Sequence, residues 1–137
     1  MANAPATGGL HHMSLTVTDL QRSIDFYTMH VGFQLLLEFE PNRALISNGA
    51  ILMSLGLPYD PALALGGDAF SENRVGLDHV SFAVDDLQAL EEAAAYFDEA
   101  GVDHGEVRDL GEGFAIYVMA FRDPDNIQLE LTAPYPA

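Results

Sequence analysis

The chain has 137 residues, 49% of them hydrophobic with 8 Phe and 5 Tyr, which is enough apolar surface for a folded core and rules out a disordered chain. Acidic residues outnumber basic ones 21 to 5, and a formal net charge of −16 excludes nucleic acid and anionic membrane surfaces as partners. Every basic residue is Arg, and Lys and Cys are absent, so Schiff-base, phosphate-loop lysine, thiolate, disulfide and zinc-thiolate chemistry are excluded; His, carboxylates, hydroxyls or a bound metal remain.

Residues 1–8 are rich in Ala, Pro and Gly and read as a flexible N-terminus. They carry neither a basic leader nor a ~7–15-residue apolar run, so a cytoplasmic protein is expected. The segment Gly9–Gln21 alternates with period two. Met13, Leu15 and Val17 fall on one strand face, and His12, Ser14 and Thr16 on the other. Asp19 stands where a helix N-cap belongs, and Leu20, Ile24 and Tyr27 follow at helical spacing, with Gly32 suited to the helix end. Three strands are expected next, over about 33–38, 43–47 and 50–57. Residues 59–75, rich in Pro, Gly and Asp, read as an irregular connector, a passive linker or a strap over a pocket.

The opening segment then returns 67 residues later, as Gly76-Leu-Asp-His-Val-Ser-Phe-Ala-Val-Asp-Asp-Leu-Gln88, with eight of thirteen positions identical to Gly9–Gln21. Asp86 repeats the N-cap, Leu87, Leu90, Ala94 and Phe97 repeat the helical spacing, and Gly101 repeats the helix end. Strands are expected over about 103–109, 114–122 and 127–132, with a turn at Asp123-Pro-Asp-Asn126. The chain therefore reads as two βαβββ modules, 9–58 and 76–134, in one α+β domain spanning 9–134.

If each helix covers the apolar face of its sheet, the opposite face is left to form a polar cavity. His12 and His79 then share that face with Glu130, whose neighbours Leu129 and Leu131 point the other way. Two His and one carboxylate form a ligand set for Fe(II), Mn(II), Ni(II) or Zn(II). Ile116, Val118 and Ala120 supply an apolar wall suited to a small oxygen-bearing molecule. Among the other histidines, His11 has the wrong strand parity, His30 suits a helix C-terminus, and His104 could enter the pocket as a base. Arg122 reads as a salt-bridge partner beside the Asp-Pro-Asp turn.

The paired Leu-x-His-x-Ser openings, Ser23-Ile-Asp-Phe-Tyr27, His30-Val-Gly-Phe33 and Phe121-Arg-Asp-Pro-Asp-Asn-Ile-Gln-Leu-Glu130 together resemble the vicinal oxygen chelate superfamily, which groups glyoxalases, bleomycin resistance proteins and extradiol dioxygenases. The resemblance implies a curved mixed sheet around a central cavity, a homodimer, and a divalent metal held by His12, His79 and Glu130 that meets two oxygens of a small-molecule substrate. The echo of Ile51–Pro58 on Ile127–Pro134 puts Ser54 at the fourth corner, where glyoxalases carry an acid or amide. Extradiol enzymes place a Tyr where this chain has Ala120. The reaction therefore stays open between glyoxalase-like lyase or isomerase chemistry and dioxygenase-like chemistry, with catalytic residues unassigned and Ser54, Ala120 and Val118 as pocket lining. The alternative is a metal-free sequestration protein that binds a drug or metabolite.

Overall fold

The computed structural model describes residues 2–137 and divides into two compact units, Met1–Ala64 and Leu65–Ala137. The first contains β1 (Met13–Thr16), α1 (Leu20–His30), β2 (Gln34–Phe39), β3 (Arg43–Ser47) and β4 (Leu52–Gly56), followed by a single 3-10 turn at Pro61–Leu63. The second contains β5 (Val80–Ala83), α2 (Leu87–Ala100), β6 (Arg108–Asp109), β7 (Ile116–Arg122) and β8 (Gln128–Pro134). Each unit forms its own four-stranded mixed sheet, in the orders β1-β4-β3-β2 and β5-β8-β7-β6. In both, the first strand runs parallel to the last and the other pairings are antiparallel. This is the tandem βαβββ, α+β architecture that the sequence repeat implies.

The alternation in the sequence becomes the two faces of each sheet. Leu15, Val17, Ala44, Ile46, Met53 and Leu55 are buried on one face of the first sheet, and α1 packs across β2, β3 and β4 with Ile24, Phe26 and Tyr27 inward. In the second unit Phe82, Met119, Phe121, Leu129 and Leu131 are buried, and α2 lays Leu90 and Phe97 against β7 and β8. The ring of Phe97 meets that of Phe121 at 4.9 Å between centroids. Ser14, Thr16, Ser81, Ala83 and Glu130 are thereby left on the opposite faces.

Local chemistry fixes where each helix starts and stops. The Asp19 carboxylate accepts the Arg22 N–H at 3.0 Å, and the Asp86 carboxylate accepts that of Ala89 at 2.8 Å, each satisfying a backbone donor that the first helical turn leaves open. At the other end Gly32 and Gly101 adopt φ of 76° and 73°, a left-handed conformation that costs glycine nothing. The Asp-Pro-Asp-Asn turn closes on a buried carboxylate: Asp123 Oδ1 accepts the N–H groups of Asp125 and Ile127 at 2.8 and 2.9 Å. Asn48 does the same in the first unit, taking the N–H groups of Ala50 and Ile51.

One strand departs from expectation. Residues 103–109 do not form one continuous strand; His104 makes an isolated bridge to Phe121, and only Arg108–Asp109 pair regularly, with Val118 and Tyr117. Between the two the register against β7 slips by one residue. The slip spans Gly105, which has no side chain to pack and whose N–H still reaches Ala120 O at 2.8 Å. The first unit slips by one residue in the same strand pair, between Leu35 and Leu37 on β2. No helix is long and apolar enough to cross a membrane among the described residues.

Replacing Asp86 with Ala should cost about 1 kcal/mol, the usual worth of an N-cap carboxylate. Urea titration checks this: the midpoint falls while the slope stays at the parent value.

Candidate metal centre

The parallel pairing of β5 with β8 sets Ser81 directly beside Glu130 and Val80 beside Leu129. His79 precedes β5, and from there its imidazole turns to the same corner: His79 Nε2 lies 3.7 Å from Glu130 Oε1. That gap is shorter than two metal–ligand bonds of ~2.0–2.2 Å laid end to end, so one ion can touch both atoms.

Both groups are oriented by neighbours. His79 Nδ1 lies 2.7 Å from Asp78 Oδ1, and since a carboxylate oxygen can only accept, Nδ1 carries the proton. Nε2 of the neutral ring is then the bare nitrogen, the state required of a metal ligand with a carboxylate behind it. The same Asp78 oxygen accepts Gln128 Nε2–H at 2.9 Å. Glu130 Oε1 accepts the Thr132 hydroxyl at 3.1 Å, and because that proton is committed, Ser81 Oγ–H donates to Thr132. Gln128, Glu130 and Thr132 alternate along β8 with the buried Leu129 and Leu131. One strand face therefore carries the anchor, the ligand and the ligand's orienting hydroxyl.

Arg122, one strand over on β7, extends this network into residues 65–75. Its guanidinium makes a two-pronged ion pair with Glu72, at 2.9 and 2.7 Å, and reaches Gln128 Oε1 at 3.4 Å. The guanidinium holds the Glu72 carboxyl down at about 2, against an ordinary 4.5. Phe70 N–H donates to Asp125 O, and Asn126 Nδ2–H to Phe70 O. The segment read as an irregular connector is thus tied at three points to the turn that ends β7. Arg122 is the salt-bridge partner expected of it.

Ala120 is the register partner of Glu130, and the buried Val118 that of Thr132, so both flank the corner on β7. In the first unit Ser54 pairs with Ser14 as Glu130 pairs with Ser81. This register gives Ser54 and Glu130 equivalent places, but Ser54 is buried and bonded to the Ser14 hydroxyl at 2.5 Å. His12 is exposed ahead of β1, its Nδ1 2.8 Å from His11 Nδ1. Among the described residues, no group of three or more His, Asp or Glu is assembled that could hold a metal ion. His79 and Glu130 are brought together within one unit, while His12 belongs to the other.

His11 and His12 both precede β1, which begins at Met13, so strand parity governs neither, and their rings meet edge-on. His11 occupies the place in the repeat that Asp78 holds beside His79. Asp78 itself carried no local signal except that equivalence. His104 meets an acceptor at each ring nitrogen, Asp98 Oδ1 at Nε2 and Gly105 O at Nδ1, both at 2.7 Å, rather than standing free as a base. The Asp98 carboxylate, above all, raises its pKa.

The family model of the Glyoxalase/Bleomycin resistance protein/Dioxygenase superfamily matches residues 9–131. No curated protein matches the chain. Among solved structures, a glyoxylase/bleomycin resistance protein/dioxygenase domain from Frankia sp. EAN1pec is 29% identical, covering 96% of each chain at a TM-score of 0.81. The lactoylglutathione lyase of Agrobacterium tumefaciens is 20% identical over 94% of this chain and 96% of that one, at 0.72. A mutant of the fosfomycin resistance protein FosX from Listeria monocytogenes, complexed with Mn(II) and 1S,2S-dihydroxypropylphosphonic acid, is 19% identical over 92% and 90%, at 0.71. At the identities of the last two, the likeness is one of fold.

The Glu72–Arg122 pair predicts a pH signature. A carboxyl held low in the folded state stabilises above its unfolded value, 4.5, and that contribution is lost as pH falls towards about 2. Urea midpoints of the parent and Glu72→Gln should differ at pH 6 and converge by pH 2.

Proposed function

The chain belongs to the Glyoxalase/Bleomycin resistance protein/Dioxygenase superfamily, and on that premise we propose that it is a divalent-metal-dependent enzyme acting on a small oxygen-bearing molecule through His79, Glu130 and His12. The observation that carries this reading is His79 Nε2 at 3.7 Å from Glu130 Oε1, with Nδ1 already committed to Asp78. A sequestering pocket has no use for an imidazole whose bare nitrogen faces a carboxylate that a hydroxyl has oriented. The Mn(II) in the FosX complex supports the same class of ion. His12, at the equivalent place in module 1, is the third ligand, from the same chain or from a second copy in a homodimer.

A divalent ion, when bound, polarises substrate oxygens as a Lewis acid. The chain's own groups do the rest. Thr132 fixes the carboxylate plane of Glu130, Asp78 fixes the tautomer of His79, and Val118 with Ala120 presents an apolar wall beside the corner. Ser54 in place of an acid leaves the donor set at three, which keeps positions open for two vicinal oxygens of a substrate. Lyase or isomerase chemistry and dioxygenase chemistry both fit three ligands with open positions, and the retained metal separates them: iron directs the assay to oxygen uptake, nickel or zinc to hemithioacetals and epimerisable ketones.

Elemental analysis after equilibration with Fe(II), Mn(II), Ni(II) and Zn(II) tests the assignment. The parent should retain near-stoichiometric metal and Glu130→Ala should lose it, with an unchanged circular dichroism spectrum. Equal metal in the two would remove Glu130 from the site, and none in either would favour the metal-free binding protein. Mixing His12→Ala with Glu130→Ala chains locates the third ligand: metal binding returns in the mixture if His12 comes from a second copy and stays absent if it comes from the same chain.

A further inference from the structure

Two carboxylates compete for the single proton of the neutral His79 ring. Asp78 Oδ1 lies 2.7 Å from Nδ1, and Glu130 Oε1 lies 3.7 Å from Nε2. With the proton on Nδ1, the corner presents a bare nitrogen and a carboxylate oxygen to a cation. With the proton on Nε2, a small turn of either side chain closes a hydrogen bond between the two candidate ligands, and the corner shuts on itself. The choice rests on Asp78, whose side chain is 66% exposed and stands ahead of β5, outside the strand ladder. An exposed carboxylate keeps one geometry only where its neighbours hold it.

Gln128 does the holding. Its Nε2 donates to Asp78 Oδ1 at 2.9 Å and to Asp78 O at 3.3 Å, fixing side chain and backbone together. At the other end of the amide, Oε1 faces Arg122 Nη2 at 3.4 Å. A guanidinium can only donate and a carboxylate can only accept, so these neighbours decide which end of the amide points where. The amide also stands between a cation and an anion. Besides Glu72, the charges that act on the Arg122 guanidinium are those of Asp103 and Asp78. Glu72 takes the guanidinium with both prongs, at 2.9 and 2.7 Å. Nη1 is also held by Asn126 O at 3.1 Å, so the donor that Glu72 alone restrains is Nη2, the one turned to Gln128.

We propose that Glu72 is a positioning residue for His79: it keeps the Arg122 guanidinium occupied, so that Asp78 stays with Nδ1 and Nε2 stays bare. Without Glu72, Nη2 turns past the Gln128 amide to the Asp78 carboxylate and draws it from the ring. The proton of His79 then moves to Nε2, where Glu130 accepts it. Glu72 lies in residues 65–75, so that segment takes part in the site as well as joining the modules. The consequence for a metal rests on the reading of His79 and Glu130 as ligands, but the place of the proton is a property of the metal-free chain.

The test is nitrogen-15 NMR of the His79 ring in the full metal-free chain at pH 8, its signals identified by their loss in His79→Gln. The parent should show a protonated Nδ1 and a bare Nε2. Glu72→Gln should move the proton largely to Nε2. Arg122→Gln should keep the parent pattern, because no guanidinium remains to draw Asp78 away, and adding it to Glu72→Gln should restore that pattern. This rescue separates positioning from bracing, since an ion pair that only braces the turn fails from either side. A parent pattern in Glu72→Gln, or a proton on Nε2 in the parent, in Arg122→Gln or in the double variant, would each overturn the proposal. Zn(II) titration reads the metal assignment separately: Glu72→Gln should bind about tenfold more weakly than the parent, and the double variant as the parent does. A proton that moves as expected beside an unchanged Zn(II) affinity would uphold the positioning role and remove His79 from the metal site.

Discussion

Parallel pairing between the first and last strands of each module is the constraint on which the rest depends. Two strands of one short module can run parallel only if a connection carries the chain back over the sheet, and here the helix and two intervening strands do so. The helix must then lie on one face, and the apolar half of every strand turns towards it. What is left on the other face is set by arithmetic of two: Ser14 beside Ser54, and Ser81 beside Glu130. His79 and Glu130 are neighbours because β5 and β8 run side by side.

Much of this was legible in the sequence. The repeat of Gly9–Gln21 at Gly76–Gln88 announced two modules, and the alternation of Gln128, Glu130 and Thr132 with Leu129 and Leu131 gave Glu130 its strand face. Both helix starts were marked by Asp19 and Asp86, whose side chains have no better use than the open N–H groups that follow them. The equivalence of Ser54 and Glu130 came from a loose echo of eight residues, and the strand register reaches the same answer by an unrelated route.

What the sequence hid was long-range or beyond the strands. The ion pair of Arg122 with Glu72 joins residues 50 apart, and no periodicity links them. Asp78 and His11 precede their strands, where parity has no force, so their bonds to His79 and His12 could not be read from alternation. Arg43 begins β3 in a polar context that suggests exposure, yet it is buried. Its guanidinium lies between Gly56 and the Tyr59 ring, which only the folded sheet brings to it. The expected strand over 103–109 failed for a related reason: pattern gives the face of a residue but not an extra residue inserted between faces.

That inserted residue has a consequence of its own. Both modules slip by one in the same strand pair, yet Leu35-Leu36-Leu37 and Gly105-Glu106-Val107 have no residue type in common. The kink therefore recurs as backbone shape, set by how an outer strand must coil around its neighbour, and not as a string of letters. It constrains no particular side chain, so the outer strand of each module can change its residues without changing the path of its backbone.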